Sequence, residues 1–180
     1  MIKTHKECLE MFGSDLAIAK EVAAKRLFKV DRGIYADRPF VPLIEIVQKR
    51  YVRAVVTMDS AFFYQGLTDI VPEKIHLATD RTASRISDKR IVQHFVPATI
   101  LDVGACEVQY NNSSIRTYDL ERLAIEAVRM RTKLSYQLYK DVVLSLRDRS
   151  AELYPAKIDD YLDKFTYRDS IAQVIRKEIF

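Results

Sequence analysis

The sequence predicts a mixed α+β protein in two parts: a small front module of winged helix-turn-helix order over residues 1–40, and a larger part over residues 41–180 in which a mixed sheet with helices leads into a helical C-terminal third. Three observations carry this. Apolar residues fall at helical spacing up to Leu27 and again after Asp119. Short β-prone runs bounded by turn-forming residues lie between them. Two prolines, Pro39 and Pro42, separate the front from the rest.

Thr4-His5-Lys6-Glu7 fits a capping box, and Cys8, Leu9 and Phe12 then make one apolar helix face that stops at Gly13. Ser14 is placed to cap a second helix, with Asp15 in its first turn and Leu16, Ile18, Ala19, Val22, Ala23 and Leu27 toward the core. Leu27 to Val30 and Ile34 to Ala36 form a hairpin across Asp31-Arg32-Gly33, where Gly supplies a positive φ. Past the prolines, Leu43 to Val47 suggests a short helix and Val52 to Met58 a buried strand; Asp59-Ser60 caps a helix running to Gly66. Ile75 to Ala78, Ile91 to Val96, Cys106 to Tyr110 and Ser114 to Tyr118 read as strands, the last two joined by an Asn111-Asn112 turn. Asp119 and Ser135 cap two helices, and residues 156–165 and 167–180 give two more.

With 48% hydrophobic and 30% charged residues in 180, the chain has the composition of a folded protein, not of a disordered, collagenous or disulfide-stapled one. No apolar run reaches the roughly 18 residues of a membrane span. Met1 to Lys6 leads into no signal-peptide core, so the expected location is the cytoplasm. Cys8 and Cys106 stand far apart and propose neither a zinc site nor a disulfide. The net charge of +4 is compatible with nucleic-acid binding without establishing it.

In a winged helix-turn-helix the second helix enters the major groove and the wing follows the phosphate backbone, so basic residues are wanted on both. Lys20, Lys25, Arg26, Lys29 and Arg32 stand there and are the candidate DNA contacts. Against this, residues 1–40 hold 8 Lys and Arg to 6 Asp and Glu, and basic residues near a helix C-terminus also serve its dipole. Ser60 with His76 invites a hydrolase reading, but no Gly-rich elbow or oxyanion loop surrounds the serine, and capping explains it more simply. Two basic stretches, Arg81 to Arg90 and Arg129 to Lys133, could face phosphate or an acidic partner, a solvated loop and a helix end being the plainer reading. Phe62-Phe63-Tyr64 fits core better than a stacking platform, and His94 has no partner at metal-ligand spacing.

The run from Asp59 to Asp69 (DSAFFYQGLTD), with Pro72 and the strand His76-Leu77-Ala78-Thr79 after it, resembles the hallmark segment of AbiEi-type antitoxins. These are the antitoxin and regulator half of type IV toxin–antitoxin and abortive-infection systems. Leu27 to Tyr35 resembles the family's wing, with its Gly-hydrophobic-Tyr ending at Gly33-Ile34-Tyr35. Tyr118-Asp119-Leu120-Glu121-Arg122-Leu123 resembles the Asp/Pro-Glu-Arg start of its C-terminal helix. The resemblance implies a winged-helix DNA-binding module and an antitoxin domain. It also implies repression of the protein's own operon through operator DNA, and opposition to a nucleotidyltransferase-type toxin without a stable complex. The front helices here are short and only weakly basic for that pattern.

A nuclease reading, prompted by the restriction-endonuclease-like build such domains resemble, needs two carboxylates and a lysine. Asp102 and Glu107-Val108-Gln109 come nearest, with Gln109 where lysine is wanted, so no metal, cofactor or catalytic residue is expected. The expectation is a non-enzymatic antitoxin and autoregulator without membrane association. The alternative is a module that binds a toxin or phage component through a basic helical surface, without DNA.

Overall fold

The computed structural model describes residues 1–111 and 113–180. It shows a mixed α+β fold whose chain divides into two compact units, Met1–Arg53 and Ala54–Phe180.

In the first unit, β1 (Ile2–Thr4) leads into α1 (His5–Phe12), α2 (Asp15–Ala23), the hairpin β2 (Phe28–Asp31) and β3 (Ile34–Ala36), and α3 (Leu43–Arg50). The capping box forms: Glu7 N–H donates to Thr4 Oγ1 at 3.3 Å, and Thr4 N–H donates to the Glu7 carboxylate at 2.6 Å. Gly13 ends α1 at φ 83°, and Ser14 Oγ accepts from Ala17 N–H at 3.2 Å, so the chain reverses between the helices within two residues. The strand order β1-β3-β2 puts the N-terminal strand, which the sequence reading leaves out, on the far side of β3. Cys8, Ile18 and Leu27 form the buried centre, with Leu9, Phe12, Val22 and Tyr35 packed around it.

Leu16, Ala19 and Ala23, assigned to the core by spacing, are exposed, Leu16 by 68%, because α2 is short and turns only Ile18 fully inward. The helix after the prolines belongs to this unit. It packs on β1, and the Lys49 ammonium donates to Glu7 at 2.7 Å. That bond, with the Thr4 N–H, holds the Glu7 carboxyl down to about 2.

In the second unit, β4 (Val55–Val56) pairs antiparallel with β5 (Ile75–Asp80), which pairs parallel with β6 (Ile91–Val96). The long strand expected over Val52 to Met58 shrinks to β4, and Val52 is exposed. Between β4 and β5 lies α4 (Met58–Tyr64). β5 and β6 are joined without a helix, and Gln93 fastens that connection. Its carbonyl accepts from Ile86 N–H at 2.7 Å, and its amide donates to Thr79 Oγ1 at 2.8 Å and Ser84 O at 3.1 Å.

After the short helix α5 (Ala98–Leu101), β7 (Ala105–Tyr110) and β8 (Ser113–Tyr118) form a separate two-stranded ribbon where one mixed sheet is expected. The ribbon is tied to β4 by Thr117 Oγ1 donating to Val56 O at 3.0 Å. Asn112 of the expected turn lies outside the described residues.

The helical third follows as α6 (Leu120–Arg129), α7 (Tyr136–Asp148), a single turn at Ser150–Glu152, α8 (Pro155–Leu162) and α9 (Arg168–Glu178). The caps are as read: Asp119 accepts from Arg122 N–H at 2.9 Å and Ser135 from Leu138 N–H at 3.2 Å. From Glu121 to Val128 every residue of α6 is buried, as expected of a helix enclosed on all sides by α4, α7, α8 and α9.

Gly104 lies under this helix at φ 74°, where a Cβ would stand 2.6 Å from Arg122 Cβ and 2.9 Å from Asp119 Oδ1. Gly104→Ala is therefore expected to cost on the order of 2 kcal/mol or more, from the left-handed backbone and the close approach together. Urea unfolding measures it, and a wild-type midpoint would contradict it.

On the β5–β6 pair, His94 Nε2 lies 3.2 Å from His76 Nδ1. Burial, and then the neighbouring His76, push the His94 imidazole down to about 4; burial lowers His76 as well. A histidine whose folded pKa is depressed gives stability that is complete above its unfolded value, near 6.5, and lost as pH falls through the folded value. Unfolding midpoints should thus drop between about pH 6.5 and pH 4, and His94→Gln should flatten that slope.

Candidate nucleic-acid interface

The front unit presents a helix, a tight turn, a second helix and a hairpin. Helix α1 is fixed to the start of α2 by His5 Nε2, 2.7 Å from Asp15 Oδ1. The hairpin tip turns at Gly33, φ 68°, and is pinned to α3: the Arg50 guanidinium donates to Arg32 O at 2.7 Å and lies 3.4 Å from Asp31 Oδ1. Anchoring the backbone of Arg32 in this way leaves its side chain exposed at the tip.

The sequence-derived candidates fall into three situations. Lys20, in the last turn of α2, and Lys29, on β2, are exposed. Lys25 follows α2 in a left-handed conformation, φ 55°, and is also exposed. Arg26 is engaged: its Nε and Nη2 donate to the two Glu21 oxygens at 2.8 and 2.7 Å, which holds the Glu21 carboxyl below the usual carboxylate range. Its charge is answered locally, so it contributes less to a phosphate-facing surface than the other four.

A shallow groove of about 350 Å³ runs between α2 and the hairpin, lined by Ile18, Ala19 and Val22 on one side and by Lys29 and Tyr35 on the other. The strand register sets Lys3 and Lys29 on either side of Tyr35, a row of two cations about one aromatic ring. Lys3 and Arg50 are the residues that sequence reasoning misses. The strand carrying Lys3 is too short for a periodic signal, and Arg50 reaches the wing only through the packing of α3.

Charge distribution sharpens the contrast between the units. Met1–Arg53 holds 11 Lys and Arg against 7 Asp and Glu, whereas Ala54–Phe180 holds 18 of each. The whole excess of +4 therefore resides in the first unit. Stopping the count at residue 40 misses half of it, because Lys49, Arg50 and Arg53 lie on and after α3.

The other candidate groups serve structure. Ser60 is wholly buried inside α4, which begins at Met58; it donates to Lys74 O at 3.2 Å and accepts from His76 N–H at 2.9 Å. It is thus not the expected helix cap, and its hydroxyl is engaged by backbone groups as both donor and acceptor. Asp102 pairs with Arg116 at 2.7 Å, and Glu107 accepts from Ser114 Oγ at 2.6 Å. Phe62 is fully buried; Phe63 and Tyr64 cluster with Tyr110, ring centroids 5.0 to 5.7 Å apart. Among the described residues no group of three His, Cys, Asp or Glu side chains is placed to hold a metal ion, and no helix is long and apolar enough to cross a membrane.

Neither protein-family models nor curated proteins give a match to this sequence. Among solved structures, the chain is similar to the crystal structure of the RV2827C protein from Mycobacterium tuberculosis, with a TM-score of 0.57 at 15% identity over 96% of this chain and 71% of that one. At that identity the likeness speaks to fold alone.

Proposed function

We propose that this chain is a cytoplasmic, non-enzymatic antitoxin of a type IV toxin–antitoxin system that represses its own promoter through the front unit. One observation carries the DNA half of the reading. The unit with helix-turn-helix and wing geometry also holds the chain's entire net positive charge, and Lys20, Lys25, Lys29 and Arg32 are exposed on its second helix and hairpin. Phosphate contacts of this kind fix register on the duplex, while base edges are read from α2. The exposed face of α2 offers Leu16, Ala19 and Ala23, small and apolar groups suited to thymine methyls.

The antitoxin half rests on the resemblance of the Asp59 to Thr79, Leu27 to Tyr35 and Tyr118 to Leu123 segments to AbiEi-type antitoxins. A promoter–reporter fusion to the gene's own upstream region tests the regulator. Expression of the chain should silence the reporter, and Lys20→Glu/Lys29→Glu should release it. Co-expression with a nucleotidyltransferase encoded beside it tests the antitoxin: the chain should restore growth without co-purifying with the toxin. Failure to restore growth would remove that half of the proposal.

A further inference from the structure

The second unit, though electrically balanced, contains one strongly one-sided cavity. It measures about 310 Å³ and opens at the carboxyl end of the parallel β5–β6 pair, between the strand ends and the end of α6. Ligands of open α/β sheets settle at such strand ends.

Three cations line it: Arg81 directly after β5, Arg129 in the last turn of α6, and Lys133 beyond that helix. Arg81 is held at the mouth by its own N–H, which donates to Val96 O at the end of β6 at 3.1 Å. The one carboxylate in the lining, Glu126, already accepts from Arg122 at 2.7 Å and Arg129 at 2.6 Å. Among the described residues Arg81 and Lys133 carry no ion pair. His94 spends Nε2 on His76 and keeps Nδ1 without a partner among the described residues. Two basic stretches some fifty residues apart in sequence thus converge on one concavity with unanswered positive charge.

We infer that this cavity is a binding site for a small phosphate-bearing ligand, gripped by Arg81, Arg129 and Lys133. A concave site with convergent donors favours a compact anion over the extended backbone of a duplex. Arg129 supplies a fork already braced by Glu126, and Arg81 and Lys133 supply exposed charges at the rim. The inference is independent of promoter binding by the first unit.

The test is calorimetric titration of the full chain with inorganic phosphate, pyrophosphate and AMP, with the histidine ring resonances followed by NMR. Saturable binding is expected. Arg81→Gln/Lys133→Gln should weaken it at least about tenfold, since two charge-assisted bonds are lost. Arg85→Gln/Lys89→Gln, from the same basic stretch but outside the cavity lining, should leave it unchanged. A bound anion should also move the His94 resonances and raise the pH at which that ring protonates, against the depressing influence of Lys133 and with that of Glu126 and Asp59. AMP binding tighter than phosphate would assign a nucleotide, and equal binding free phosphate; both support the site. Absence of saturation by all three probes, or equal binding by the Arg81/Lys133 variant, would overturn it.

Discussion

Glu126→Ala is expected to destabilise the second unit by about 3–5 kcal/mol, because it strips the counter-charge from a buried guanidinium. Arg122 is fully buried, and every donor group of its fork is used. Nε and Nη2 donate to Glu126 Oε1 at 3.0 and 2.7 Å, and Nη1 donates to Ile100 O at 2.7 Å and Val103 O at 2.9 Å. The guanidinium carbon also stands 4.4 Å from the Tyr118 ring centroid and 4.7 Å from that of Phe165.

With alanine at 126 the buried guanidinium loses its counter-charge while its carbonyl bonds to Ile100 and Val103 hold it in place. Glu126→Gln keeps the shape and one acceptor, so its loss should be smaller. Urea midpoints of the two variants, read beside wild type, check the ordering. A Glu126→Ala midpoint within about 1 kcal/mol of wild type would mean that the pair carries no more than a surface ion pair does.

This network also explains the Asp119-Leu120-Glu121-Arg122 segment in physical terms. Asp119 caps α6 and accepts from Tyr161 Oη at 2.8 Å; Glu121 receives Tyr154 N–H at 3.2 Å and Lys157 at 3.1 Å; Arg122 ties α6 to the turn around Ile100 and Val103. Asp119 and Glu121 both join α6 to α8, sharing Lys157 at 3.1 Å, while Arg122 joins it to the turn before β7.

Local signals in the sequence carry far. The Thr4 box, the Gly13 stop, the Ser14, Asp119 and Ser135 caps and the hairpin around Gly33 are all present where local chemistry puts them. What local chemistry leaves out is long-range pairing. β1 is three residues long and is a strand only because β3 lies beside it. The division of the middle into one three-stranded sheet and one two-stranded ribbon depends on which edges meet, and periodicity within a strand does not encode that.

The interface shows the same limit. Lys20, Lys25, Lys29 and Arg32 are exposed as spacing implies, whereas the clasp of Arg26 by Glu21 and the pinning of the wing by Arg50 come from side-chain geometry. The cavity beside His94 was legible only as two separate basic stretches, because the fold alone joins Arg81 to Arg129 and Lys133.

The second large effect concerns the front unit, and it is also the most direct test of the regulatory reading. The purified chain is titrated onto its own upstream DNA at two salt concentrations, beside a Lys25→Glu/Arg32→Glu variant. Each phosphate contact releases counterions, so wild-type affinity should fall steeply with salt, and removing two contacts should lower the logarithmic slope by about 2. The variant should also bind at least about a hundredfold more weakly, because two charge-assisted bonds give way to repulsion. Sequence-specific, salt-sensitive binding that the double variant loses is the predicted result. Absence of binding to the upstream DNA, or equal binding by the variant, would contradict a front unit that reads an operator, and would turn its basic surface toward a protein partner.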